Sequence, residues 1–178
     1  PDAARHRLMW SAASFLIALL ALQLALSARR QSQTFDEACH IYAGYSYWTR
    51  ADFGLNPEHP PLVKLLATLP LLPMHLQPPQ VPAWALSFFK LEEFVGGRMF
   101  VYSGNADAIL FRARMAAALL TLLLAALLFA AANEMFGAAA AFLALGLFVF
   151  EPTILAHGAV VTTDMAVTLG LFAAVYAF

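Results

Sequence analysis

The chain has one cysteine, Cys39, in 178 residues. An internal disulfide and a cysteine-built zinc site are therefore excluded. Charge is scarce too: Asp, Glu, Lys and Arg make up 12% of the residues, about half the roughly 25% of a soluble domain. Ten Lys+Arg stand against eleven Asp+Glu, a net charge of −1, so there is no basic surplus to suggest a nucleic-acid partner. Internal repeats are absent, and the only compositional bias is Ala/Leu richness. What is present is apolar: 62% of residues are hydrophobic and the mean hydropathy is +0.72. This excludes an ordinary soluble domain and points to an all-α integral membrane protein with lipids as partners. The chain opens at Pro1 rather than at methionine and stops at Phe178 inside an apolar run, so it reads as a piece of a longer protein.

Four spans are expected. Leu8 to Ala28 is 21 uncharged residues, about 32 Å of helix, enough for a hydrocarbon core of roughly 30 Å. A signal peptide would have a shorter apolar core ending in small residues, whereas this one ends in Arg29-Arg30. Span two covers about 108–132, with Asn105 or Asp107 as its cap. After the break at 133–137, span three covers about 138–161, kinked at Glu151-Pro152. Span four starts near 163, capped by Thr162-Thr163-Asp164. If spans two and three form a hairpin, the long loop 29–107 and the segment 151–164 share one face. Thirteen of the 21 charged residues lie between Arg29 and Asp107, so the polar chemistry gathers on that side. The positive-inside rule does not fix which side it is, because Arg5 and Arg7 oppose Arg29, Arg30, Arg112 and Arg114.

The loop is too apolar and aromatic for disorder. Thr34 and Glu37 fit a capping box opening a helix through about Thr49, with Ile41, Tyr42, Tyr45 and Trp48 on one face suited to the membrane boundary. Eight of the ten prolines fall between Pro57 and Pro82. Pro60-Pro61 starts a short helix carrying Leu62, Leu65, Leu66 and Leu69 until Pro70. Ser87 to Val95 is a third amphipathic candidate, closed by Gly96-Gly97. Together these predict a layer of interfacial helices that lines a cavity reachable from lipid and water.

The densest reactive cluster is Asp36-Glu37-Ala38-Cys39-His40, where helical spacing lets Asp36, Glu37 and His40 share a face. The plain alternative is that the acids serve the helix dipole and the cap. In Asn56-Pro57-Glu58-His59-Pro60-Pro61, the prolines fix a turn that aims Glu58 and His59 rigidly. Lys64 reaches a phosphate or snorkels, and one of Arg112 and Arg114 faces inward toward an anion. Asp164, Glu151 and His157 are either boundary residues or further groups of the same cavity. Asp36, Glu58 and His40 carry oxygen and imidazole donors for a divalent metal ion, although no spacing among them is diagnostic.

Taken in order, Phe35-Asp36-Glu37-Ala38-Cys39-His40, Asn56-Pro57-Glu58-His59-Pro60-Pro61-Leu62-Val63-Lys64, Arg114 and Glu151-Pro152-Thr153-Ile154-Leu155-Ala156-His157-Gly158 leading to Thr162-Thr163-Asp164 resemble membrane glycosyltransferases of the GT-C class. The branch resembled is the protein O-mannosyltransferase and aminoarabinose-transferase superfamily. The resemblance implies a polytopic helical bundle of about a dozen spans, of which this chain is the N-terminal third. It implies transfer of a sugar from a polyprenyl-phosphate carrier to a lipid, glycan or protein hydroxyl at the outer or lumenal face. For a bacterial member the setting is the inner membrane, with the first loop facing outward. Asp36 is the implied catalytic base, Glu37 its supporting acid, and Glu58 a site residue. His59 stands where the aminoarabinose branch has a carrier-binding lysine and the mannosyltransferase branch a histidine. Lys64, Arg112 or Arg114, or a metal, would meet the departing phosphate. Other classes fitting parts of the pattern are a non-catalytic carrier-binding protein or degenerate GT-C scaffold, and a transporter, which the lack of repeats disfavours.

Overall fold

The structure is a computed structural model that describes residues 2–87 and 90–178. Among these residues every regular element is a helix: α1 (Asp2–Arg30), α2 (Glu37–Arg50), α3 (Pro61–Thr68), a 3₁₀ turn (Leu69–Met74), α4 (Ala83–Leu86), α5 (Leu91–Tyr102), α6 (Ala106–Phe136), α7 (Ala138–Phe150), α8 (Pro152–His157) and α9 (Asp164–Ala177). Two of them, α1 and α6, are long and apolar enough to cross a membrane. Asn105 Oδ1 accepts the Ala108 N–H at 3.0 Å, so asparagine is the cap that starts α6.

The expected third span is interrupted at Glu151-Pro152, where its kink was expected, and its helix ends at His157 rather than near Val161. α7 stops at Phe150 after 13 residues, about 20 Å, short of a hydrocarbon core of roughly 30 Å. Pro152 has no N–H to continue the ladder, and Glu151 turns its carboxylate onto the Thr153 N–H at 3.3 Å to begin a new helix. α8 then ends at His157, and 158–163 is turn and bend rather than helix.

The chain divides into two compact units. One comprises Pro1–Ser27, Ala118–Gly158 and Asp164–Phe178. In it Trp10 and Phe142 both meet the Phe129 ring edge-on, and Thr121 donates to the Gly158 carbonyl at 2.6 Å. Phe129 and Phe142 flank Gly137, where φ is +83°. That backbone favours glycine, and here it folds α7 back along α6.

The other unit, Ala28–Ala117 with Ala159–Thr163, is built around α2. The expectation that α2 lies along the membrane boundary is corrected: residues 37–47 are all buried, with α3 and α5 packed against it. Its polar tips are satisfied inside, the Tyr47 hydroxyl donating to the Leu55 carbonyl at 2.5 Å and Tyr45 to Leu76 at 3.1 Å. Leu62, Leu66 and Leu69 do present an exposed apolar stripe beside exposed Trp48, as expected of an interfacial helix.

Two glycines make this packing close. A Cβ on Gly44 would lie 2.7 Å from the Lys64 carbonyl carbon in α3, and one on Gly97 would lie 2.7 Å from the Ala38 carbonyl carbon in α2. Gly96 and Gly97 therefore do not close a helix, as the sequence suggests. They sit inside α5, where the Ala38 backbone at Gly97 and the Tyr42 and Val81 side chains at Gly96 leave no room for a side chain. Phe88 and Phe89, within the expected Ser87–Val95 helix, lie outside the described residues; the helix that forms begins at Leu91.

Gly44→Ala and Gly97→Ala will each lower stability, because overpacking of about 1–3 kcal/mol exceeds a helix-propensity gain of at most about 1 kcal/mol. Gly146→Ala and Gly170→Ala, where nothing lies within 4 Å of the new Cβ, will leave the melting temperature unchanged or raise it.

Candidate functional site

The α2 unit holds one fully buried ion pair. Arg114, 1% exposed, reaches from the first half of α6 to Glu37, which is 0% exposed in the first turn of α2. Its Nε donates to Glu37 Oε1 at 2.8 Å and Nη2 to Oε2 at 2.6 Å. Nη1 serves the carbonyls of Ala28 and Gln31 at 2.9 and 2.8 Å, and Nη2 that of Ser32 at 2.9 Å. All five guanidinium N–H groups are thereby used, three of them on the end of α1 and the chain that leaves it. Glu37 is equally saturated, accepting from the Thr34 N–H and hydroxyl at 2.9 and 3.1 Å and from the Val161 N–H at 3.2 Å. The back-reach to Thr34 is half of the expected capping box, although α2 itself starts three residues later. Burial raises the Glu37 carboxyl, yet the hydrogen bonds from Arg114, Thr34 and Val161 outweigh it and hold the group below its ordinary range.

Arg114 is thus a structural ion-pair partner with no N–H left for a phosphate, and Glu37 has no lone pair left for proton transfer. Lys64 is likewise corrected. It neither snorkels nor lies open to an anion, being buried with Nζ donating to Tyr47 Oη at 2.9 Å and to the Asn56 carbonyl. Desolvation pulls its ammonium down to about 8.

Asp36, one residue before Glu37, differs in kind. It is exposed, and its carboxylate has no hydrogen-bond or ion-pair partner among the described residues. Its backbone carbonyl accepts the His40 N–H at 3.1 Å, which fixes the residue at the start of α2. His40 is buried with its ring 4.8 Å from that of His59, edge to face. Burial, then the neighbouring His59 and Lys64, push its imidazole down to about 4, so it is neutral at pH 7. Glu58 is held at the surface by Lys90 at 2.5 Å, which lowers its carboxyl. Among the described residues no group of three His, Cys, Asp or Glu side chains is arranged to hold a metal ion.

Asp164, Glu151 and His157 belong to the other compact unit. Asp164 opens α9, Glu151 caps α8, and His157 ends it. Arg112 is exposed on α6, with one long contact of 3.5 Å to the Pro70 carbonyl. Two residues that the sequence reading passed over join the α2 unit. Glu93 is buried at the start of α5, where desolvation and then the Glu58 charge raise its carboxyl. Arg98 is exposed on α5 and lines cavities of about 570 and 630 Å³. Neither stands in a motif. Only the burial of α2 under α5 brings them in.

Protein-family models, curated proteins and solved structures were all compared with the chain. None matches it.

Arg114→Lys keeps the charge but not the five-donor fork, and will cost roughly 2–4 kcal/mol of unfolding free energy. His40 binds a proton less readily folded, at about 4, than its ordinary value of 6.5. The stability it confers is therefore complete above pH 6.5 and is lost as pH falls toward 4. A melting curve taken across that window will fall, and His40→Gln will flatten the fall.

Proposed function

We propose that this chain carries the base-bearing part of an integral membrane glycosyltransferase of GT-C type, which moves a sugar from a polyprenyl-phosphate carrier to a hydroxyl acceptor. One observation supports this reading above the others: an exposed carboxylate without a partner, Asp36, joined directly to a carboxylate buried in a five-donor ion pair. Glu37 makes the backbone beneath Asp36 rigid, as a positioned base requires.

On this reading Asp36 takes the proton of the acceptor hydroxyl as its oxygen attacks the anomeric carbon. The bond from that carbon to the carrier phosphate breaks, and the polyprenyl phosphate leaves with the electron pair. A single displacement inverts the anomeric centre. General-base assistance of this kind contributes about 10²- to 10⁴-fold. The two helices able to cross a membrane, with the exposed stripe of Leu62, Leu66 and Leu69, suit a substrate whose tail stays in lipid. The proposed setting is a bacterial inner membrane with residues 31–105 on its outer side, and the spans beyond α1 and α6 belong to the same proposal.

The test follows carrier consumption by the intact protein in membranes with a panel of labelled polyprenyl-phosphate sugars. Wild type will release label from the carrier, and Asp36→Asn will lose at least about 10²-fold in rate with its melting temperature and carrier affinity retained. Turnover retained in Asp36→Asn would remove Asp36 as the base. Carrier bound by wild type and never consumed would replace the enzyme by a carrier-binding scaffold.

A further inference from the structure

Arg114 has every N–H committed to the fold and Lys64 is buried with two of its three donors used, while exposed Arg112 lines neither of the two cavities on α5. We infer that Arg98 binds the donor phosphate, and that the apolar cavities on its two sides take the isoprenoid chain. The inference rests on the glycosyltransferase reading and names the group that holds its donor.

Three observations carry it. First, Arg98 is exposed and has no hydrogen-bond or ion-pair partner among the described residues. Second, among the described residues it is the one cation that lines both cavities. The walls beside it are mainly apolar: Phe35, Phe94 and Val95 on one side, Val95, Met99 and Pro79 on the other, with Tyr102 shared. A single positive charge between greasy walls complements an amphiphile with one anionic head, whereas a free sugar or a peptide would find too few polar partners. Third, the close approach of α5 at Gly97 to the α2 backbone at Ala38 holds the next residue, Arg98, beside the first turn of α2. Asp36 is two residues before Ala38. Phe35 and Phe94 seal this side with ring centroids 4.8 Å apart, and Gln33 brings an amide to the same wall. Phe35 and Ala38 of that wall bracket Asp36 in the chain.

Binding of a polyprenyl phosphate and of the matching polyprenol will be measured on the intact protein in nanodiscs of neutral lipid. Wild type will be compared with Arg98→Ala and Arg98→Lys. Losing one charge-assisted contact will weaken polyprenyl phosphate about tenfold or more in Arg98→Ala. Arg98→Lys will recover part of the loss, polyprenol affinity will not change, and added phosphatidylglycerol at equal concentration will not displace the carrier. Unchanged carrier affinity in Arg98→Ala would overturn the inference. So would an equal loss for polyprenol, which marks damage to the groove, or equal displacement by phosphatidylglycerol, which marks a general anionic-lipid site. Donor consumption by wild type is read separately. Consumption with carrier affinity intact in Arg98→Ala removes Arg98 alone, and Arg98-dependent binding without consumption removes the enzyme and leaves the phosphate site.

Discussion

The α2 unit depends on one buried ion pair. Taking a guanidinium and a carboxylate out of water costs several kcal/mol per ion, and their attraction offsets this only when the remaining donors and lone pairs are filled. Arg114 and Glu37 meet that condition by recruiting backbone from three places. These are the end of α1 at Ala28, the chain through Gln31, Ser32 and Thr34, and the 159–163 segment through Val161. Each recruited group is one that a helix end or loop must satisfy anyway. The pair thus converts a set of orphaned backbone groups into a fixed junction, from which α2 starts.

That junction sorts the polar residues by what they are free to do. Glu37, Arg114 and Lys64 spend their hydrogen bonds on the fold. Asp36 and Arg98 spend none, yet each is attached to something rigid: Asp36 to Glu37 in the chain, and Arg98 to Gly97, whose missing side chain lets α5 touch α2. Two adjacent acids in one sequence motif therefore divide the work, one buried and holding, the other exposed and available for a proton. In a chain with so few charges, an unpaired one in an apolar setting is costly.

Much of this was legible in the sequence. Long uncharged runs mark α1 and α6 because length and hydropathy alone decide a helix able to cross a membrane, and Asn105 and Pro61 mark helix starts by local chemistry. The same local reading placed the break at Glu151-Pro152 but carried the following helix to Val161, whereas α8 ends at His157, since a proline shows where a helix breaks but not how far the next one extends. It also put α2 at a surface, because a helix with aromatics on one face and small or polar residues on the other looks half-exposed. Gly44 and Gly97 show why it is not: the small face is where α3 and α5 come in. The pairing of Glu37 with Arg114, 77 residues apart, has no local signal at all. Both residues drew notice as charges, and only the fold shows that they cancel one another.

The most direct test is a double-mutant cycle on unfolding free energy with Glu37→Gln, Arg114→Met and the pair together. If the two residues form one unit, either single change leaves a buried partner uncompensated, at about 3–5 kcal/mol. The double variant will then cost far less than the sum, with a coupling of about 2 kcal/mol or more. Effects that add to within about 0.5 kcal/mol would contradict the account, because the two side chains would then act independently.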